Sequence, residues 1–261
     1  MTKKFSYIDS GQRFIACRRH KWDRLFQRSI CALCGSPLRT VAHAIEEVAC
    51  DNCQSTWRCE AVARVLLRTL NYPAGKTLAN ISTDLSRRGL GISDDWRLST
   101  RLASRFDYVN TYYHRFPRID ISNPPNEVEG LFEFVICSDV LEHTQSRIAP
   151  MMGLRRLLRP GGFAVVTVPP TTDELDSELY PNLSTYSVIN GRVHWRDASG
   201  QDHVDQNPEF HGGDGATLVF RRFSRKQIVI DLRTAGFSYV EPCFHTSLSN
   251  SSVSIPLFVV R

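Results

Sequence analysis

Four cysteines spaced C-x2-C-x15-C-x2-C (Cys31, Cys34, Cys50 and Cys53) constrain this chain more than any other feature. Each C-x2-C turn offers two thiolates from one tight loop, and two such turns can close a tetrahedral zinc site with no other ligand. The spacing predicts a zinc ribbon over residues 30–58 with zinc held by these four thiolates. A closed four-thiolate site is structural, so it says how this segment folds and leaves the chemistry to the rest of the chain.

The 261 residues are enough for one large domain with a small appendage. An apolar share of 42% and a charged share of 23% suit a globular chain, and no run approaches the ~20 apolar residues of a membrane span. The first residues, MTKKFSYIDSGQRFIACRRHK, contain no apolar h-region and do not read as a secretory signal. A reducing, cytoplasmic setting is therefore expected, with Cys17, Cys59, Cys137 and Cys243 as free thiols. Residues 1–29 form a basic arm: Lys3, Lys4, Arg13, Arg18, Arg19, Lys21, Arg24 and Arg28 stand against Asp9 and Asp23. Because the whole chain carries only +5, the remainder is close to neutral, and the arm is a solvated extension or a partner for phosphate.

After the cysteines, RCEAVARVLLRTL reads as a linking helix within 59–75, with Val62, Val65, Leu66 and Leu70 on one face. Residues 76–261 then alternate between strand and helix signals. Strands are expected at 77–82, 108–111, 118–121, 132–137 and 163–168, and near 239–244 and 255–260. Helices are expected over 95–105, 147–158 and 225–235. Ser224 and Gln227 form a capping box at the start of the last helix. The alternation predicts a parallel, doubly wound α/β sheet of Rossmann-like type, with ligands at the C-terminal ends of the strands. An insertion, 170–223, is rich in Pro, Gly, Asp and aromatic residues and shows no long periodic element. A loop of that length in a compact domain points to function.

Two strings within this frame, FEFVICSDVLEH (132–143) and LRRLLRPGGFAVVTVP (154–169), resemble the central part of class I S-adenosylmethionine-dependent methyltransferases. The resemblance spans about 76–260. It implies that Ser138 and Asp139 leave the fourth strand beside the methyl donor, followed by Glu142 and His143. It also implies that the loop through Gly89 and Gly91 approaches the methionine end of S-adenosylmethionine. Asn110 and Thr111 would face the ribose, and Asp120, within a third strand, would accept from the adenine amino group. Two departures stand out. The first strand would end at Ser82 and Asp84, with the glycines arriving late, and an amide or hydroxyl replaces the usual ribose-binding carboxylate.

Within the insertion, HVDQNPEFHGGDG gathers His203, Asp205, His211 and Asp214. Its Pro208–Gly212 segment resembles the P-x-[YF]-H-G stretch of methyltransferases associated with glycan-modifying gene clusters. A hydroxyl or amine acceptor must lose a proton, and histidine suits that near neutral pH. His211 is the first candidate for general base and His143 the second; the spacing fixes no complete His/Asp metal set. The leading expectation is a methyltransferase for a small molecule: a sugar, nucleotide sugar or glycan precursor. The alternatives are an RNA methyltransferase that docks through the zinc ribbon and basic arm, and a non-catalytic zinc-ribbon binding protein. The oligomeric state stays open.

Overall fold

A computed structural model describes residues 30–39, 46–169, 176–212, 217–243 and 256–261. The basic arm, Cys17, Asp214 and the segment between the last two strands lie outside the described residues.

The first helix, α1 (Trp57–Thr69), grows directly out of the second cysteine turn. Thr56 caps it, accepting a hydrogen bond from the Cys59 backbone N–H. The cysteine segment itself holds little regular structure: two isolated bridges, Ile30 with Pro37 and Val48 with Thr56, close its two turns. Glu60, on the first turn of α1, is buried and accepts from the Ala32 N–H through both carboxylate oxygens, at 2.9 and 2.7 Å. Arg64, one helical turn on, pairs with the same carboxylate. The cysteine segment thus packs into the same apolar cluster as the central sheet, with Cys31, Leu33 and Cys50 beside Leu66, Phe134 and Val165.

The sheet has six strands: β1 (Asp84–Ile92), β2 (Phe106–Thr111), β3 (Phe132–Ser138), β4 (Leu158–Thr167) and, near the C-terminus, β12 (Val240–Pro242) and β13 (Leu257–Val260). Their spatial order is β12-β13-β4-β3-β1-β2. β2, β1, β3 and β4 run parallel, while β13 is antiparallel to both β4 and β12. The sheet is therefore mixed, where an all-parallel one was expected. Alternation sorts its side chains onto two faces. Phe134, Ile136, Phe163 and Val165 face α1 and α2 (Trp96–Ala103), and Val135, Cys137, Ala164 and Val166 face α3 (Ala149–Leu157) and α4 (Arg225–Thr234). This three-layer arrangement, helices on both faces of a largely parallel sheet, is of Rossmann-like type.

Three expectations on the early strands need correction. Residues 77–82 form turns, and the first strand is Asp84–Ile92, so Gly89 and Gly91 lie inside a strand. They are glycine because neighbours fill the space: a Cβ at Gly89 would sit 2.2 Å from the Phe134 ring, and one at Gly91 would sit 2.1 Å from Tyr108 Oη. No third strand forms at 118–121; a single bridge joins Tyr112 to Arg118, and Asp120 follows it in a turn.

The insertion, expected to be irregular, contains short antiparallel elements: β5 (Ser177–Glu178), β6 (Leu183–Ile189), β7 (Arg192–Asp197), β8 (Asp202–Asp205), β9 (Phe210–His211), β10 (Thr217–Leu218) and β11 (Arg221–Arg222). β6, β7 and β8 form a meander whose first turn is Asn190-Gly191, both at positive φ (51° and 74°). At the far end, Ser224 caps α4 by accepting from the Gln227 N–H at 3.1 Å; the Gln227 side chain points onward to Asp231, so only half of the capping box forms.

Replacing Glu60 by Ala takes its carboxylate away from buried Arg64 and leaves the Ala32 N–H without that acceptor. Loss of one partner of a buried pair costs about 3–5 kcal/mol. Urea unfolding of Glu60→Ala against the parent chain should show a loss of that order.

Candidate functional site

The sulfur atoms of Cys31, Cys34, Cys50 and Cys53 lie within 4.8 Å of one another. Cys31 and Cys53 are 3.6 Å apart and Cys34 and Cys50 3.5 Å, too far for a disulfide and close to the ~3.8 Å edge of a tetrahedron with 2.3 Å zinc–sulfur bonds. The Leu33 N–H donates to Cys31 Sγ at 3.3 Å, and the Asn52 side-chain amide lies 3.6 Å from Cys34 Sγ. Burial first, then the charge of Glu60, pushes the Cys31 thiol up, so a thiolate there needs a cation beside it. The donor set fits structural zinc.

The C-terminal ends of the parallel strands bring a second group of residues together. β3 ends at Ser138, and Asp139 follows with φ at +51°. Thr167, at the end of β4, donates to Asp139 Oδ1 at 2.7 Å and lies 2.9 Å from Ser138 Oγ. Arg58, on the first turn of α1, forms ion pairs with Asp139 and with Glu46 of the cysteine segment. Burial pushes the Asp139 carboxyl up, and the Arg58 guanidinium opposes this. No sequence pattern flagged Arg58 or Glu46; the pairing depends on how the cysteine segment docks.

The loop after β1 adds Asp94, 5% exposed. Tyr108 donates to its Oδ2, while its Oδ1 has no partner among the described residues. Burial pushes the Asp94 carboxyl up to about 8, against the Tyr108 hydrogen bond. Asn110 braces the loop: its side-chain oxygen accepts from the Asp94 N–H and its amide donates to the Asp94 carbonyl, both at 2.9 Å. Thr111 donates to the Gly91 carbonyl at 2.7 Å. Buried Cys137 senses all the carboxylates at once: burial, then the charges of Glu142, Asp94 and Asp139, push its thiol far above the usual range. This end of the sheet is thus rich in carboxylates, with Arg58 countering Asp139.

Two other expected cofactor residues, Ser82 and Asp84, lie elsewhere. Asp84 opens β1 and Ser82 precedes it, at the opposite end of the sheet from Ser138; Asp84 is held by Ser86 and Arg87. Asp120 stays at the C-terminal side of the sheet, two residues past the Tyr112–Arg118 bridge that follows β2, and accepts from the Ser122 N–H at 2.9 Å in an Asx turn. A cavity at that opposite end, lined by Ser86, Arg88, Asp107, Leu131, Glu133 and Arg159, already pairs its charges internally, Arg88 with Asp107 and Arg159 with Glu133.

On the acceptor side, the structure separates the expected histidines. His203 bonds Asp197 at 3.0 Å and stacks on Trp195, and Asp205 accepts from Tyr180 at 2.8 Å. His211 instead meets His143, with ring centroids 4.6 Å apart. The cause is a set of backbone contacts. β9 pairs with β10, setting His211 opposite Thr217, and the Leu218 carbonyl lies 2.9 Å from His143 Nδ1. Phe220 N–H donates to the Glu142 carbonyl at 2.8 Å. Buried Arg221 donates to the carbonyls of Leu141, Thr144 and Gln145 and pairs with Glu178. Desolvation pushes the His143 imidazole below its usual range.

No protein-family model matches the chain, and no curated protein matches it by sequence. Solved structures do resemble it. The glycopeptide N-methyltransferase MtfA bound to sinefungin is 16% identical, with 81% of this chain and 96% of that chain covered at a TM-score of 0.45. The 1,6-didemethyltoxoflavin N1-methyltransferase of Burkholderia thailandensis, with its substrate and S-adenosylhomocysteine, is 11% identical, covering 78% and 77% at 0.43. The N-terminal domain of EvdMO1 with S-adenosylhomocysteine is 15% identical, covering 78% and 80% at 0.45. Likeness of this degree carries no argument about activity, which rests on the residues above.

Asp94 provides a pH test. Its carboxyl titrates near 8 when folded and near 3.8 when unfolded, so its contribution to stability is full below pH 4 and drains away as pH rises to 8. Asp94→Asn removes that dependence while keeping an acceptor for Tyr108. Urea midpoints should show the variant gaining on the parent by up to about 1.4 kcal/mol per pH unit between pH 4 and 8, then levelling.

Proposed function

We propose that this chain is an S-adenosylmethionine-dependent methyltransferase for a small hydroxyl- or amine-bearing acceptor, in the class of sugars, nucleotide sugars or glycan precursors. The observation that carries the reading is the group of carboxylates at the strand ends, with the His143–His211 pair beside it. S-adenosylmethionine supplies a methyl group on a positively charged sulfonium and also carries an ammonium. A buried, carboxylate-rich end of a sheet favours a cation of that kind.

Asp94, whose Oδ1 lacks a partner, and Asp139 are the residues that would hold the cationic parts of the cofactor. Asn110 and Thr111 act indirectly, because their side chains are committed to fixing the β1 loop. Thr167 holds the Asp139 carboxylate in place, and Ser138 acts through Thr167. His211, partly exposed, stands where an acceptor could arrive from solvent, and the His143–His211 pair is the group suited to take up the acceptor proton. The choice of a sugar-like acceptor rests on the Pro208–Gly212 segment. Zinc at the four cysteines is structural in this reading: it fixes the segment from which Arg58 and Glu46 reach the site.

Calorimetric titration of the zinc-loaded chain with S-adenosylmethionine and S-adenosylhomocysteine tests the reading. The sulfonium form should bind about tenfold tighter than the neutral thioether, a difference of about 1.4 kcal/mol. Asp139→Asn should erase most of that preference and leave thioether binding nearly unchanged. A folded protein that binds neither ligand would sink the proposal.

A further inference from the structure

Glu142, His143 and His211 place ligand-type atoms within 4.8 Å of one another. The Glu142 side chain is 1% exposed, and among the described residues neither carboxylate oxygen has a hydrogen-bond partner. A buried carboxyl without partners is costly in either protonation state, since ionised it lacks donors and protonated it lacks an acceptor. His143 Nε2 is also buried and, among the described residues, without a hydrogen-bond partner; it lies 3.6 Å from Glu142 Oε1, too far for a hydrogen bond. The tautomer follows from the other ring nitrogen. Nδ1 is 2.9 Å from the Leu218 carbonyl, which can only accept, so Nδ1 carries the hydrogen and Nε2 turns its lone pair toward Glu142. Two buried acceptor atoms 3.6 Å apart, with a backbone carbonyl fixing the imidazole, are an arrangement in which metal ligands are held.

We propose that Glu142, His143 and His211 bind a divalent first-row metal ion, separate from the four-cysteine site. Two imidazoles and one carboxylate suit Mn2+, Fe2+ or Zn2+, and a three-ligand site leaves open positions for water or substrate oxygen. His211, 36% exposed at its side chain, marks the open side. Glu209 does not complete the set; its Oε1 stays 3.9 Å from His211 Nε2 and the carboxylate is held by Arg222.

The role in catalysis rests on the methyl-transfer reading. An acceptor hydroxyl on an open metal position becomes more acidic and loses its proton to solvent, so no free imidazole base is needed. His211 is then a ligand, and its loss affects metal binding before it affects anything else.

The probe is Mn2+, which competes poorly for thiolates, added to zinc-loaded full-length chain and followed by calorimetry and electron paramagnetic resonance. The expected result is one saturable Mn2+ per chain, weakened at least tenfold by His211→Ala. Glu142→Gln should weaken it similarly, with zinc content unchanged in both. Co2+, read by its ligand-field bands, is the second probe and should report nitrogen and oxygen ligands. Absence of a saturable site for either ion, or binding that both substitutions leave unchanged, overturns the proposal. S-adenosylmethionine binding is scored separately. A chain that binds the cofactor but no second metal keeps methyl transfer with an imidazole base. One that binds Mn2+ but no cofactor keeps the metal site and loses methyl transfer.

Discussion

The first turn of α1 ties the cysteine segment to the sheet. Arg58 and Glu60 are two residues apart, so their side chains leave the helix about 200° from one another. Glu60 turns to the first cysteine turn and holds the Ala32 N–H, while Arg58 turns to the strand ends and pairs with Asp139. Both side chains are largely buried, so neither pairing is a loose surface contact. A disturbance of the cysteine segment therefore has a short path to the site: through Thr56 to the helix start, and through Glu46 and Arg58 to Asp139. A metal held by the four cysteines would thus be coupled to the strand-end carboxylates by position.

The strand ends have the opposite problem. Asp94, Asp139 and Glu142 surround Cys137 in a poorly solvated region, and each carboxyl is pushed upward chiefly by burial. A fold that served only stability would put apolar groups there. Retaining unpartnered oxygens on Asp94 and Glu142 makes sense when ligands complete them, and the two sets of oxygens point to two kinds of ligand. Asp94 belongs to the β1 loop, where the proposed cofactor would lie. Glu142 belongs to the turn that meets the insertion, where the acceptor would lie.

How much of this could be read from the sequence depended on burial. FEFVIC and FAVVTV were legible because strands covered on both faces read as unbroken apolar runs. The first strand was not, since DLSRRGLGI gives up side-chain volume at Gly89 and Gly91 to the rings of Phe134 and Tyr108. Leu78 and Ile81 looked like strand residues because both are buried, yet they are buried in turns beside the cysteine segment, where Leu78 N–H bonds the Ala32 carbonyl. The antiparallel β13 was hidden because nothing in a strand's own composition tells its direction. The meander was missed: its first strand is almost wholly exposed and lacks apolar alternation, and the Asn190-Gly191 turn that joins its first two strands was not recognised in the sequence. At the site, Asp139, Glu142 and His143 were marked by their string, whereas Arg58 and the meeting of His143 with His211 arise from contacts distant in sequence.

That meeting is the last constraint to follow. The insertion could have projected freely from the sheet, but its return segment is stitched to the 141–145 turn by four groups: the Leu218 carbonyl, the Phe220 N–H, the Arg221 guanidinium and, through Arg221, Glu178. Three of these bond the backbone of the turn or the fixed nitrogen of His143, so they leave the Glu142 carboxylate and His143 Nε2 unused. A purely structural junction would spend those polar atoms on the same network, because they lie within the junction and burying them unsatisfied costs free energy. The structure holds the turn firmly and keeps its two best ligand atoms free. His211 then comes within reach of them because β9 is paired to the segment that does the holding.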